Sequence, residues 1–377
     1  MEWNDNRIGW LGLAWFEGFG SRSIRRLRSK YPHDGMAAYS LAQDAYVTVG
    51  ITESVAGRFV GWRAIADPEV FARRCEAEGI RFILPDDDEF PSYLAHASDP
   101  PASLFLRGAP LHLVRPIAVV GTRSMTPYGA TATDRIVRDL TTAGCEIVSG
   151  LALGIDARAH AACLDMGGTT VAILAGGCDD GSIYPRSNTG LASRILAERG
   201  TIITELPPGT ESFRHLFPLR NRIIAALSVA TVVIEAAESS GSLITAALAL
   251  EENRDVFAVP GPITSEQSSG THKLLKMGAI PCTDADDILK LFDLRSPVPD
   301  AVRIVLTEEE RVVLDAISRP LHVDDVVRDA QRPASTVTST LISLELKGLV
   351  AEQDGNVFSR TKAGCRVARE KESDADG

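Results

Sequence analysis

The chain has 377 residues, 45% of them apolar and 24% charged, with a net charge of −11. That length suits two or three domains with sizeable cores, and the balance is that of an ordinary globular protein. It excludes a uniformly basic coat for nucleic acid but not a local basic groove, because salt confines a surface field to about 10 Å.

No apolar run approaches the ~20 residues that a membrane helix needs. Met1-Glu-Trp-Asn-Asp-Asn6 has neither the basic flank nor the apolar stretch of a signal peptide, so a cytoplasmic location without membrane contact is expected. The six scattered cysteines form no C-x-x-C pair and read as free buried thiols, and the seven dispersed histidines have no metal-ligand spacing. No metal is expected.

Residues 1–65 read as a small helical domain. Ile8 to Phe16 has helical apolar spacing, Glu17-Gly-Phe-Gly-Ser21 breaks it, and Arg22 to Tyr31 follows as a basic amphipathic helix. Helix, tight turn and basic helix resemble a helix-hairpin-helix, although a plain helical bundle explains the pattern as well and is preferred. From residue 66, a helix over 70–79 stops at Gly79, and strands are expected at 81–84 and 103–107. Asp86-Asp-Asp-Glu89 between them reads as a solvated loop.

From Arg115 to Phe292, strands at 117–120, 145–148, 170–174, 201–204, 230–234 and 255–259 alternate with helical stretches. Near-continuous Val/Ile strands spaced for crossovers predict a doubly wound, mostly parallel α/β sheet over 66–292. Ser296-Pro-Val-Pro-Asp300 marks a linker, 293–303. Helices over 308–317, 322–330 and 335–346 with a hairpin to Arg360 predict a winged helix over 304–362, and the charged tail 363–377 is expected to be disordered.

Three strand ends open helices through small-residue turns, at Gly121-Thr-Arg123, Ser149-Gly-Leu-Ala-Leu-Gly154 and Glu238-Ser-Ser-Gly-Ser242. Each would aim backbone N–H groups at an anion. Gly121 to Gly129 lacks the G-x-G-x-x-G spacing and carries Arg123 where a dinucleotide site wants glycine, and no Walker motif is present. No cofactor is expected. Asp156 and His160 share a helix face, but with no nucleophile beside them the better reading is structural, with Asp156 near the helix N-terminus and His160 packed or hydrogen-bonded within the sheet edge. Glu205 and Glu235 end strands, where acid–base work and bonding to nearby amides are both open.

The strongest constellation is Ser212-Phe-Arg-His-Leu-Phe-Pro-Leu-Arg-Asn-Arg-Ile-Ile224. Arg214, Arg220 and Arg222 suit phosphate, Phe213 and Phe217 suit base stacking, and Asn221 suits either. One of these arginines pairing with Glu205 or Glu235 is the competing expectation.

Val119-Val-Gly-Thr-Arg123, Thr126-Pro-Tyr-Gly129, Ser149 to His160, Tyr184-Pro-Arg-Ser-Asn188, the Phe-Pro-Leu-Arg-Asn-Arg run, Ser239 to Thr245, Val259-Pro-Gly261 and Gly270 to Leu275 occur in that order. Together they resemble the DNA-processing protein A (DprA/Smf) family. The resemblance implies an extended Rossmann-like fold, flanked by a small N-terminal helical domain of SAM or helix-hairpin-helix type and a C-terminal winged helix. It also implies a non-catalytic recombination mediator that binds single-stranded DNA, loads the recombinase RecA in natural transformation, and dimerises through the Rossmann-like domain. Carried over by motif, the DNA-contacting positions are Gly121, Thr122, Arg123, Ser149, Gly150, Arg214, Phe217, Arg220, Asn221, Ser240, Gly241 and Ser242. The stretch Cys178 to Pro185 is slightly longer than the family's turn.

The alternative is a nucleoside-monophosphate hydrolase of the related lysine-decarboxylase-like group, whose Pro-Gly-Gly-x-Gly-Thr pattern is missing here. In the winged helix, Ser335 to Leu346 carries no Lys or Arg, which favours a protein contact over duplex binding.

Overall fold

β-Branched runs without polar interruption favour strands buried on both faces, and such runs form the centre of this chain. The computed structural model describes residues 3–292, 306–353 and 356–361. They fall into two units, Met1–Pro297 and Val298–Gly377.

The first unit opens with α1 (Asp5–Trp15), α2 (Ser21–Lys30), α3 (Gly35–Tyr39), α4 (Gln43–Thr48) and α5 (Glu53–Arg63). Asn4 caps α1 by accepting from Arg7 N at 2.9 Å. Gly9 and Gly35 let α1 and α3 touch backbone to backbone, since a Cβ at Gly9 would lie 2.1 Å from the Gly35 carbonyl carbon. Two arginines of α2 are engaged internally, Arg28 with Asp86 at 2.7 Å and Arg25 with Asp99 at 2.6 Å. The acidic run that sequence left in solvent is a set of anchors, because Asp87 also holds Arg7 at 2.7 Å and Glu89 holds Arg81 at 2.7 Å.

Next come α6 (Pro68–Ala77), β1 (Ile80–Ile83), α7 (Ser92–Ala95), β2 (Leu104–Gly108), β3 (Pro116–Val120), α8 (Pro127–Thr142), β4 (Glu146–Ser149), α9 (Ile155–Asp165) and β5 (Thr170–Ile173). The unit continues through α10 (Thr189–Ala197), β6 (Thr201–Thr204), α11 (Leu216–Leu227), β7 (Ala230–Val233), α12 (Gly241–Glu251), β8 (Asp255–Ala258), α13 (Ser269–Lys276), β9 (Ile280–Pro281) and α14 (Asp286–Leu289). One nine-stranded sheet runs β1-β2-β6-β5-β4-β3-β7-β8-β9. It is parallel from β6 to β9, with β1 and β2 antiparallel at one edge.

Strand alternation divides the core between the two faces. Ile117 and Val119 pack with α8 and α9, whereas Ala118 and Val120 pack with α11 and α12. The apolar core of the N-terminal helices, including Trp10, Leu11 and Phe59, runs on into Phe82, Phe105 and Ile202 of the sheet. No helix among the described residues is long and apolar enough to cross a membrane.

The second unit holds α15 (Glu308–Ala316), β10 (Leu321–His322), α16 (Val323–Ala330), α17 (Ala334–Leu346), β11 (Val350–Gln353) and β12 (Val357–Arg360), a winged helix. Its sheet order is β10-β12-β11. Thr307 and Glu310 cap α15 reciprocally. The expected linker at 293–303 and tail at 363–377 lie outside the described residues.

Candidate nucleic-acid interface

The chain leaves β3 for β4 on one side and reaches β8 from β7 on the other, so the loops after β3 and β7 part at a topological switch point. Glu235, only 1% exposed, follows β7 and fixes the loop after β3. Its carboxylate accepts from Thr126 N at 2.9 Å and Thr126 Oγ1 at 2.6 Å, and its backbone oxygen accepts from Thr122 N at 2.7 Å. Thr126 Oγ1 in turn accepts from Gly129 N and caps α8. A side chain at Gly129 would collide with the Glu235 carboxylate, which explains the glycine. Glu235 therefore bonds nearby amides, one of the two roles open to it from sequence.

The turn after β4 already holds an anion of its own. Gly150 N donates to Asp156 Oδ2 at 3.1 Å, and the N–H groups of Ala152 and Gly121 also face this buried carboxylate. Beside it lies Arg220, 6% exposed, whose Nη1 donates to Gly150 O at 2.5 Å and Ile173 O at 2.6 Å. Burial raises the Asp156 carboxyl, against the pull of Arg220 and the amides. Burial also lowers the Arg220 guanidinium to about 10, so it stays charged at neutral pH.

Arg220 and Gly150 were expected to meet phosphate; both are buried and bonded to each other. Ser149 is likewise buried, its Oγ donating to Val119 O at 2.6 Å. In this structure these three positions lie beneath the surface, because the loop turns pack on the sheet.

Asp156 and His160 do not work as a pair. The Thr170 hydroxyl donates to Ile147 O at 2.8 Å, so its oxygen accepts from His160 Nδ1 at 2.7 Å. Burial and the nearby Arg220 charge hold the imidazole neutral, with its pKa down at about 3. The structural reading of this pair is the one the geometry supports.

The accessible groups gather around Phe217. The exposed Arg123 guanidinium lies 5.0 Å from the Phe217 ring centroid, Arg220 lies 5.8 Å from it, and Tyr184 packs at 6.1 Å. Arg214 and Phe213 are exposed, and Phe213 stacks on His215 with rings 9° from parallel. Arg222 instead pairs with Glu205 at 2.5 Å and donates to Asp99 O, which satisfies the competing expectation for one arginine of this run.

Thr122, Asn221 and Ser242 are buried at the loop bases. Asn221 Nδ2 lies 3.5 Å from Gly241 O, and Ser240, the cap of α12, is 2.8 Å from Ser242 Oγ. Gly121 and Ser240 are half-buried, and Gly241 is exposed. Of the expected positions, Arg123 and Phe217 are brought together, Arg214 is exposed on the preceding loop, and most of the others lie at the loop bases.

Tyr184 was missed as a site residue, although its Tyr-Pro motif carried the signal. Asn188 was missed as a brace. It donates to Leu151 O at 2.9 Å and Ala152 O at 3.2 Å, beside Leu151 in the left-handed region at φ 56°. Arg186, two residues beyond Tyr184, is exposed and donates only to the carbonyls of Asp180 and Gly181. Among the described residues no carboxylate lies within ion-pair distance of Arg123, Arg186 or Arg214, so this face is locally basic on an acidic protein. Nor does any group of three or more His, Cys, Asp or Glu fit a metal ion among them.

A family model described as DNA recombination-mediator protein A matches residues 81–293, and a DprA winged helix domain model matches 297–356. Protein Smf of Escherichia coli strain K12 is 38% identical over 303 residues, covering 76% of this chain and 79% of that protein. The X-ray structure of DNA processing protein A from Streptococcus pneumoniae aligns with a TM-score of 0.65 at 30% identity, covering 78% of this chain and all of that one. A structure of DNA processing protein A from Helicobacter pylori, solved for that protein's single-stranded DNA binding mode, aligns with a TM-score of 0.51 at 28% identity, covering 57% and 97% of the two chains. With its Rossmann-like sheet, its winged helix and a family model spanning more than half its length, this chain belongs to the DNA recombination-mediator protein A family, the DprA/Smf proteins.

Proposed function

We propose that this protein binds single-stranded DNA and acts as a non-catalytic recombination mediator, delivering the strand to RecA during natural transformation. The observation that carries the reading is the site around Phe217, where the exposed Arg123, without a carboxylate partner, stands over the ring and the exposed Tyr184 packs beside it. Cations track a phosphate backbone while a ring stacks a base, which is the chemistry of single-strand binding. The Helicobacter pylori relative, described by its single-stranded DNA binding, supports the same ligand.

The buried Asp156 and Glu235 carboxylates are held by amides and a hydroxyl within the fold, and His160 is bonded through Nδ1 to Thr170 and kept neutral, which supports a binding role over hydrolysis. Glu251 ends α12 and Glu252 follows it, bonded to Ser98, so these acids do not open a helix as the monophosphate-hydrolase alternative requires. On this reading the protein works in the cytoplasm, needs no cofactor and dimerises through its Rossmann-like unit. The cation-free α17, with Ile342 and Leu346 exposed, meets a protein and not a duplex.

The test is a titration of oligo(dT) and a matched duplex across salt, repeated with RecA present. Preference for the single strand, affinity falling with salt, and faster RecA filament growth are expected. Equal affinity for both forms, or release of ribose from nucleoside monophosphates, overturns the reading.

A further inference from the structure

The loop–helix junction from Ser212 to Phe217 has two sides. One side carries Phe217 with Arg123 and Tyr184. On the other, Phe213, His215 and Leu219 line a groove of about 740 Å3 that is closed by Phe16 and Phe19 after α1 and by Leu174 after β5. That volume lies within the range of small-ligand sites, about 300–1,000 Å3. Phe213 and Leu219 expose 53% and 54% of their surface there, large for apolar side chains with no partner to cover them.

The charges in this groove select the ligand. Two of its three carboxylates are already matched: Asp99 sits against Arg25 at 2.6 Å and Arg222 at 3.6 Å, and Glu205 against Arg222 at 2.5 Å and Ser21 at 2.6 Å, while the third, Glu17, is exposed to solvent. The paired Asp99 and Glu205 ask for neither a cation nor an anion, and Arg22, 80% exposed, is held only loosely, 3.9 Å from Asp99, at the edge. An apolar, ring-lined interior with a cation outside suits a neutral flat ring tethered to a negative backbone.

We propose that this groove is a nucleobase subsite, taking bases of the same strand that crosses Phe217 while the phosphates stay outside near Arg22 and Arg214. The proposal rests on the single-strand reading above. The α1–α2 turn thereby becomes part of the DNA site through aromatic packing, without a hairpin grip on phosphate. Phe213 on the loop and Phe217 in the first turn of α11 stand four residues apart, so a strand crossing this loop–helix junction meets both rings.

The full-length protein is titrated with oligo(dT) and with an abasic oligomer of equal length. Wild type is expected to prefer the base-bearing strand. Leu219→Trp, which fills the groove from an exposed position, and Phe213→Ala should each weaken oligo(dT) binding at least about fivefold, the loss of one stacked base, and leave the abasic oligomer unaffected. Oligomers carrying 5-iododeoxyuridine should photocrosslink to Phe16, Phe19 or Phe213.

Unchanged affinity in both variants while Phe217→Ala weakens binding would overturn the subsite and leave the single-strand reading standing. Failure of the wild type to bind oligo(dT) would remove both. A Leu219→Trp protein that binds DNA normally but no longer recruits RecA would assign the groove to a protein partner and overturn the proposal.

Discussion

Arg214, Arg220 and Arg222 differ in chemistry despite lying within one short run. Arg214 is exposed, Arg222 is held by Glu205 and Asp99, and Arg220 is buried against strand-end carbonyls. Removing a partner from a buried charge pair strands the other charge, at a cost of roughly 3–5 kcal/mol. Arg220→Ala should therefore lower stability in urea denaturation by that order, with Asp156→Asn recovering part of the loss. Equal stability of Arg220→Ala and wild type would contradict this support role. Phe217→Ala should weaken oligo(dT) binding with little change in salt slope, because stacking releases no counterions. Arg123→Ala should reduce the slope by about 0.7, the share of one phosphate contact on a single strand. Fluorescence anisotropy across a salt series separates the two.

Strands β3 to β8 and helices α15 to α17 lie where their apolar periods put them, to within a few residues. The two-residue strands β9 and β10 were not legible, because a pair of residues has no period and each exists only through its partner. The basic face of α2 was legible as a pattern and misleading as a surface, since Asp86 and Asp99 cover several of its guanidinium groups. In the winged helix, burial opposes charge on Glu310, but Lys347, Ser343 and the Thr307 N–H outweigh it and bring the carboxyl down to about 2. An unfolded glutamate titrates near 4.3. The unfolded chain thus takes up the proton first as pH falls, so this contribution is complete above about pH 4.3 and is lost on the way down to about pH 2. Acid titration of the winged-helix signals by NMR should show that loss in wild type, and Glu310→Gln should flatten it.

At the scale of the molecule, the net charge of −11 coexists with an exposed, carboxylate-free Arg123 beside Phe217. Asp86, Asp87 and Asp99 beside the N-terminal helices are matched by arginines, and short-range fields then govern the site. The division into two units gives a direct expectation. A fragment ending at Pro297 should keep the oligo(dT) affinity and salt dependence of the full chain, measured side by side. A large loss of affinity in that fragment would move part of the DNA site to the winged helix.

Local sequence determined the alternation of strands and helices, the winged helix, and the run of aromatic and basic residues after β6, because period and side-chain type are properties of neighbouring residues. Tertiary structure alone decided which amides, hydroxyls and guanidinium groups remain available. The Gly150 and Gly121 N–H groups face Asp156, and Arg220 finds carbonyls 70 and 47 residues away. A buried polar group must find a partner inside the fold, and that partner comes from whichever strand end packing brings close, which spacing along the chain does not reveal.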